Sequence, residues 1–427
     1  MRRGRRWTLI ASVILIAVAP LFLFPGGWRT LALVILPLIW LGNRIATGHF
    51  IPATPYDVVL LVLLVMVLIS LYATYDVAVS LPKITGVLFG VGLMYSMVGF
   101  ATTWKRLRWT TLGLLMAIVI FTAFVLIGTA WGHKVPVLQQ IGVALPALVR
   151  GLPGAADGFH PAEVAGTLTW IVFLPIVALM AMWSSWSKPR KVFAAFMLIT
   201  LLAALVLALV LAQSRSGWIG AAAGSVASLL LVSRRSRVFL AVGAVAVVAG
   251  FIVLRPSAVV EGSLGNPPPE LEAVFTPNLD SRLEIWSRAI YGIQDFPLTG
   301  MGLGTFRYVV PVLYPLFLVP PEVDIAHAHN EVLQAGLDLG IPGLIAFSAL
   351  QALAIFLAYT MFRSDAPAFT RWMALGALAG LVAHAVFGLT DTVALGAKPG
   401  VFFWALLGLV AAMWNLAAAP RAVSEHD

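Results

Sequence analysis

Apolar runs long enough to cross a lipid bilayer recur along the whole chain, and no other feature constrains its fold as strongly. A transmembrane helix needs roughly 17–25 mostly apolar residues. Twelve runs of about that length lie near residues 7–24, 29–46, 57–74, 84–103, 109–131, 162–184, 192–212, 216–232, 238–254, 339–362, 372–389 and 399–417. Only 11% of the residues are charged, whereas a soluble domain has about 25%. The sequence therefore predicts an all-α polytopic membrane protein with about twelve transmembrane helices.

The basic residues predict the side of the membrane that each connection faces. If the N-terminus is cytoplasmic, 17 of the 27 Lys and Arg residues lie on the cytoplasmic side. Basic residues favour that side, so both termini are expected to be cytoplasmic. A basic start followed by an apolar run is also typical of a removable signal peptide. The run continues without a convincing cleavage site, which favours a first transmembrane helix.

One external connection is much longer than the others and is a candidate subdomain. It spans about residues 255–338 and holds ten of the eighteen acidic residues. The expected division is therefore 1–254 with nine transmembrane helices, 255–338 outside the membrane, and 339–427 with three helices and a cytoplasmic tail. The spans carry few charges, which points to a site on the outer surface. The main exception is His384, for which a hydrogen-bonded structural role is favoured over a proton relay.

Arg215 occupies a tight external turn between two predicted spans, in the sequence Ser214-Arg215-Ser216-Gly217. Lys and Arg are enriched on the cytoplasmic side of membrane proteins, so a positive charge at an external membrane edge is unusual. Two interpretations stay open at this point. The arginine either snorkels to any lipid phosphate or binds one specific phosphate group.

Residues 280–297 are predicted to form an amphipathic helix that opens with a Ser281-x-x-Glu284 capping box. At 100° per residue, Arg288 points away from the apolar stripe. It either pairs with Glu284 one turn earlier or binds a ligand. Arg282, at the border of that stripe, either snorkels or is a second ligand. Three alternating glycines at 300, 302 and 304 follow the helix and allow close approach of backbone to backbone or ligand.

His327 and His329 precede a further helical stretch. Two histidines at this spacing could bind a metal ion, but the chain has no cysteine and no H-E-x-x-H motif, which makes a metal site the less favoured alternative. A histidine at a helix N-terminus is instead kept neutral by the helix dipole, as a general base requires. Asn330 is the candidate cap of that helix.

Three motifs in this order resemble the O-antigen ligase/polymerase superfamily of bacterial membrane glycosyltransferases. They are Ser214-Arg215-Ser216-Gly217, the stretch from Arg282 through Arg288 to Pro297-x-x-Gly-x-Gly-x-Gly-Thr-Phe, and His329-Asn330 with its downstream Gly340-x-x-Gly343. The resemblance covers roughly residues 190–392. Length, span number and the single long loop are most similar to the O-antigen ligases.

The resemblance implies a GT-C-like enzyme that moves O-antigen from undecaprenyl diphosphate to the lipid A-core oligosaccharide. The reaction would take place on the periplasmic face of the inner membrane. It implies a catalytic role for His329 and diphosphate contacts by Arg215 and Arg288. Asp391 matches an acidic position of the family. No cofactor and no nucleic acid are expected, and two arginines in place of a divalent cation imply a metal-independent reaction.

Two alternatives remain at the level of sequence. A polymerase or a protein O-oligosaccharyltransferase of the same superfamily would share the donor site and differ in its acceptor. A transporter of lipid-linked glycans belongs to a different class, and it should show discontinuous helices with polar residues at the midplane. Pro175, inside the sixth predicted span, is a weak indication of that kind.

Overall fold

A computed structural model of the chain describes residues 2–23, 27–131, 136–145, 148–151, 155, 157–183, 188–233, 235, 237–238, 279–319 and 323–418. Within these residues the chain is helical and forms no β-strand; one isolated β-bridge joins Thr129 and Phe159. The expected all-α class is therefore confirmed.

Fifteen α-helices are described. They are α1 Arg2–Leu23, α2 Ile35–Thr47, α3 Asp57–Ala73, α4 Val77–Phe100, α5 Trp104–Gly128, α6 Pro136–Ala144, α7 Pro161–Ile171, α8 Leu174–Trp183, α9 Lys188–Leu211, α10 Arg215–Val232, α11 Leu279–Asp295, α12 Phe306–Leu313, α13 Glu331–Arg363, α14 Ala368–Phe387 and α15 Val401–Ala418. Short 3₁₀ helices, Gly27–Val34 and Lys398–Gly400, precede α2 and α15.

Nine stretches of the described chain are long and apolar enough to cross a membrane. Two shorter apolar helices, Trp7–Phe22 and Asp57–Ala73, add to them. Together they account for eleven of the predicted spans. The other, 238–254, lies outside the described residues except for its first residue, so a total of twelve remains a prediction.

The tenth predicted span, 339–362, lies within a longer helix. Helix α13 begins at Glu331, eight residues earlier, and is broken at Gly340, which has φ +69°. Hydropathy misses the first turns because they carry Glu331, Gln334 and Asp338, which are polar but buried inside the protein. A second difference concerns the sixth predicted span, which is divided between α7 and α8. Pro175, in the first turn of α8, cannot donate a backbone hydrogen bond there.

Helix α14 lies at the centre of the membrane domain, packed against α7, α8, α10 and α13. Glycines make this packing close. A Cβ atom added at Gly220 or Gly224 of α10 would lie 2.5 Å from the carbonyl oxygen of Ala383 or Ala379. Small residues at membrane-helix interfaces allow such backbone approach. The end of α14 is therefore held at a fixed distance from the start of α10.

The described part of the predicted external subdomain has its own small hydrophobic core. Its buried members are Ile285, Ala289, Met301, Phe306, Val310, Ile325, Ala328 and Leu337. Leu337 belongs to α13, so this core joins α11 and α12 to the membrane domain. The subdomain is thereby fixed directly beside the first turns of α13.

Candidate active site

Three predicted site segments meet at residues 388–392, the loop that follows α14. His329 Nδ1 lies 3.3 Å from Asp391 Oδ1. Thr390 donates its hydroxyl hydrogen to Ser216 Oγ at 2.9 Å, and Arg282 donates to the Thr390 carbonyl oxygen. The loop thus brings together the starts of α10, α11 and α13, which are far apart in sequence.

His329 is held in a turn with unusual backbone geometry. Its φ is +49°, a left-handed conformation that is uncommon for residues other than glycine and is often found at functional sites. The next residue, Asn330, is the N-cap of α13, and its Oδ1 accepts the Leu333 N–H at 3.0 Å. Its Nδ2 donates to the Leu389 carbonyl oxygen at 2.9 Å. Asn330 therefore caps the helix, as the sequence predicts, and also fixes the His329 turn against the Asp391 loop.

Asp391 is buried beside His329 and also accepts the N–H of Thr392 at 3.0 Å. Burial alone would raise the pKa of Asp391. The hydrogen bond and the charge of His329 outweigh burial, so the pKa lies below its ordinary value. An ionised Asp391 accepts the Nδ1 hydrogen of His329, which leaves Nε2 of a neutral ring without a hydrogen. This is the state that a general base requires.

His327 has a different environment. Its Nδ1 accepts the backbone N–H of His329 at 3.3 Å, and the two rings meet edge to face with centroids 4.4 Å apart. Burial, with a smaller contribution from His329, lowers the pKa of His327 to about 3. His327 is therefore neutral at physiological pH, with its hydrogen on Nε2.

His327, His329 and Asp391 also form the group that could hold a metal ion in the described part of the chain. One ligand atom from each lies within 4.8 Å of the others. Two imidazoles and a carboxylate are a ligand set that catalytic zinc sites use. The Nδ1 atom of His329 and a carboxylate oxygen of Asp391 are already hydrogen-bonded to each other, so a metal would have to displace that hydrogen.

A second histidine–acid pair lies buried behind the site. Glu331 Oε1 is 3.2 Å from Nε2 of His384, and the Glu331 N–H donates to the Gly388 carbonyl oxygen at 2.7 Å. The other ring nitrogen of His384 lies 3.0 Å from the Gly166 carbonyl oxygen, and Trp170 stacks on the ring with centroids 3.7 Å apart. His384 is therefore the hydrogen-bonded structural histidine that the sequence favours.

Arg215 is the first residue of α10 and is exposed. Ser214 caps this helix by accepting the Gly217 N–H at 3.2 Å, and Gln213 before it has φ +49°. The following residue, Ser216, is the one that binds Thr390. Arg215 thus lies at a positive helix terminus, one residue from the direct link to the Asp391 loop, and such termini favour anions.

Arg288 lies further along α11 and is directed to another loop. Its Nε donates to the Pro315 carbonyl oxygen at 2.9 Å and its Nη2 to Glu284 at 3.3 Å. The pairing with Glu284 is thus present. The prediction that a capping box at Ser281 opens this helix is wrong, because α11 begins at Leu279. The Glu284 carboxylate instead accepts backbone N–H groups of the 315–318 loop.

The three alternating glycines all have positive φ. A Cβ atom at Gly300 would lie 2.5 Å from backbone atoms of α13, and one at Gly302 would lie 2.8 Å from Thr74. A Cβ atom at Gly304 would meet the Lys83 side chain at 3.3 Å. The glycine run therefore makes the close backbone approach that the sequence predicts, to protein segments on both sides.

Sequence reasoning missed the contribution of the first half of the chain. Lys83 of α4 and His160, just before α7, interact electrostatically with His327. Lys83 also influences Asp338 and Lys398. Lys83 and Lys398 were identifiable from the sequence only as basic residues on the external side. Lys83, which acts on His327, adds positive charge to the site.

Part of the site lies in a stretch of the chain that is similar to a known protein family. No curated protein matches the chain. Residues 200–348 match the family model described as O-antigen ligase, and this stretch contains Arg215, Arg282, Arg288, His327 and His329. Over these residues the match supports the resemblance to the O-antigen ligase superfamily that the motifs indicated.

Proposed function

We propose that this protein is a metal-independent O-antigen ligase. It would transfer O-antigen polysaccharide from undecaprenyl diphosphate to the lipid A-core oligosaccharide, on the periplasmic side of the bacterial inner membrane, with both termini cytoplasmic. The observation that supports the proposal most directly is the contact of His329 with Asp391, at the loop where the arginine-bearing segments converge. The family match and the apolar helices support the membrane setting and the class of substrate.

In the proposed reaction His329 acts as the general base. Its Nε2 accepts the hydrogen of an acceptor sugar hydroxyl while that oxygen attacks the anomeric carbon of the donor glycan. The bond from this carbon to the diphosphate breaks, and undecaprenyl diphosphate leaves with the electron pair. The carboxylate of Asp391 keeps the imidazole in the correct tautomer and stabilises the imidazolium that forms.

The diphosphate gains negative charge as it leaves, and fixed cations can stabilise that charge. Arg215 and Arg288 are the proposed ligands, and Arg282 is a further candidate because it reaches Thr390. Arg288 has five N–H donors and uses three of them in hydrogen bonds to Glu284, Ser287 and Pro315. Two donors are left for phosphate oxygens while the arginine keeps its position on α11.

A transfer assay with purified protein tests the proposal. The protein is placed in lipid nanodiscs with a polyprenyl-diphosphate glycan and lipid A-core, and the product is separated by mass. We expect glycan joined to lipid A-core, and a loss of roughly 10²–10⁴-fold in turnover for His329→Ala with donor affinity nearly unchanged. His327→Ala should reduce turnover much less.

Different products would contradict the proposal in different ways. Longer lipid-linked glycan, formed without lipid A-core, would identify a polymerase. Movement of the donor across a bilayer without transfer would identify a transporter. Loss of donor affinity in His329→Ala, with the chemical step intact, would make His329 a phosphate ligand and not a base.

A further inference from the structure

We infer that α12 and the loop after it form an element that lies in the outer membrane–water interface, with its exposed apolar side chains in contact with lipid. The interfacial tip is defined here as residues 312–318. Three of its side chains are well exposed: Val312 at 76%, Phe317 at 81% and Leu318 at 59%. So many large apolar groups in seven residues are unusual on a surface that faces only water.

Helix α12 has the two-sided character of an interfacial helix. Phe306 and Val310 are completely buried in the core of the subdomain. Tyr308 and Val312, about 200° away around the helix axis, are exposed. Amphipathic helices that lie in the plane of a membrane have this arrangement of one protein-facing or polar side and one lipid-facing side.

Contacts with the membrane helices place α12 at the depth of the interface. Thr74 and Tyr75 form the short connection between α3 and α4. Gly302 packs directly on Thr74, and the Tyr308 ring lies 6.1 Å from the Tyr75 ring. Tyr72, in the last turn of α3, is 91% exposed. Tyrosines at the ends of membrane helices are typical of the interfacial aromatic belt, so α12 continues this belt outward from α3 and α4.

The tip is held rigidly although its side chains are exposed. The buried carboxylate of Glu284 accepts the N–H of Phe317 at 2.7 Å and that of Leu318 at 2.8 Å. Arg288 binds the Pro315 carbonyl oxygen, and its guanidinium lies 5.8 Å from the centre of the Phe317 ring. A loop that is already ordered loses little conformational entropy when it enters lipid. A bilayer surface therefore suits this preformed apolar tip.

The chain contains no cysteine, so a single introduced cysteine is the only thiol to be labelled and no native cysteine has to be removed first. We would attach a nitroxide label to Phe317→Cys and to Leu318→Cys in nanodiscs of phosphatidylethanolamine and phosphatidylglycerol. Oxygen concentrates in lipid and a nickel chelate stays in water, so the ratio of the two relaxation effects reports the environment of the label. Leu61→Cys, on the exposed side of α3, is the lipid-facing control, and Gln294→Cys on α11 is the water-facing control.

Labels at 317 and 318 should resemble the label at 61, with an oxygen-to-nickel ratio at least several-fold above that at 294. A ratio equal to that at 294 would overturn the inference, because the tip would then face water. Protection from both reagents would also overturn it, because another part of the protein would then cover the tip. A label at Val312 repeats the measurement without touching the 315–318 loop. The result does not depend on whether the protein transfers glycan.

Discussion

His329 Nδ1 and Asp391 Oδ1 lie 3.3 Å apart, although 62 residues separate them in the chain. His329 precedes α13 and Asp391 follows α14, so both lie at the open end of the hairpin that these two helices form. The Asn330 and Glu331 contacts with residues 388 and 389 close this hairpin at the same end. Because the contacts are consecutive, moving the backbone at His329 away from the Asp391 loop would also break the hydrogen bonds of Asn330 and Glu331.

Asp391→Asn should lower turnover by roughly 10²–10⁴-fold and leave donor affinity nearly unchanged. The amide that replaces the carboxylate can donate a hydrogen to Nδ1, which would move the ring hydrogen to Nε2 and remove the base. Turnover and donor binding measured separately on the purified variant check this. Asp324→Asn, an exposed acid of the same subdomain, is the control and should keep normal turnover. Normal turnover in Asp391→Asn would exclude Asp391 from orienting the base.

Arg215→Ala and Arg288→Ala should each abolish transfer, because each removes a fixed positive charge from the proposed diphosphate site. Lysine at either position should restore little activity, since a point charge cannot replace the planar fork of the guanidinium. The comparison is made at matched amounts of folded protein. Arg307→Ala is the matched control, because this exposed arginine pairs with Asp324 in the same subdomain. Near-normal turnover in either alanine variant would remove that arginine from the site.

Excess chelator should leave transfer unchanged, because the arginines supply the positive charge that a divalent ion would otherwise provide. The assay is run with and without chelator on the protein as purified. If chelation stopped transfer and one divalent ion restored it, His327, His329 and Asp391 would be the ligands to test. Glu331 and Asp324 are less suitable, since they pair with His384 and Arg307.

Acidification should destabilise the protein through His327. Its pKa is lowered to about 3 in the folded state, whereas the unfolded chain takes up this proton near pH 6.5. The effect of His327 on the free energy of unfolding is therefore absent above about pH 6.5. As the pH drops from there towards 3, the free energy of unfolding falls by at most about 1.4 kcal/mol per pH unit. The lowered pKa of Asp391 affects the free energy of unfolding in a separate pH range, below the pKa of about 3.9 that this residue has in the unfolded chain.

Thermal unfolding between pH 7 and 4.5 measures this effect. The midpoint of the wild type should fall more steeply with acidification than that of His327→Gln. His49→Gln, which removes an exposed histidine elsewhere, should follow the wild type. Equal slopes for wild type and His327→Gln would show that His327 does not carry the pH dependence.

The apolar runs predict the helices well, because a bilayer imposes a length and composition that a sequence displays directly. They fail at the start of α13, where Glu331, Gln334 and Asp338 look like loop residues but are buried in protein. Within the site, His329 and Arg215 stand out as polar residues at helix ends. The convergence of their segments on the 388–392 loop could not be predicted, since it depends on α10 and α14 packing through Gly220 and Gly224.

Two other features had no readable signal in the sequence. Lys83 comes from the half of the chain that resembles the superfamily only in hydropathy, so its position beside His327 depends entirely on the fold. Glu284 fits a capping box by spacing, yet its carboxylate binds backbone groups 33 and 34 residues later. Local patterns cannot specify such distant hydrogen-bond partners.

The buried Glu331–His384 pair gives the last prediction, since it supports the turn that carries His329. Nδ1 of His384 lies near two oxygen atoms, the Gly166 carbonyl oxygen and the Thr169 hydroxyl oxygen. The Thr169 hydroxyl already donates its hydrogen to the Gly166 carbonyl, so both oxygens can only accept a hydrogen from Nδ1. Nδ1 therefore carries a hydrogen, and the bond between Nε2 and Glu331 needs one further proton, held by either partner. Glu331→Gln preserves this bond, because the amide N–H can donate to Nε2 of a neutral ring.

Glu331→Leu removes the bond and leaves Nε2 buried without a partner, at a cost of about 1–3 kcal/mol. We expect a lower unfolding midpoint and lower turnover for Glu331→Leu, and values close to the wild type for Glu331→Gln. Thr370→Val is the control, since this buried hydroxyl of α14 has no hydrogen-bond partner among the residues that the structure describes. Removing it should cost little stability. Equal losses in Glu331→Gln and Glu331→Leu would contradict the prediction, because the hydrogen bond to His384 would then not be what holds the start of α13.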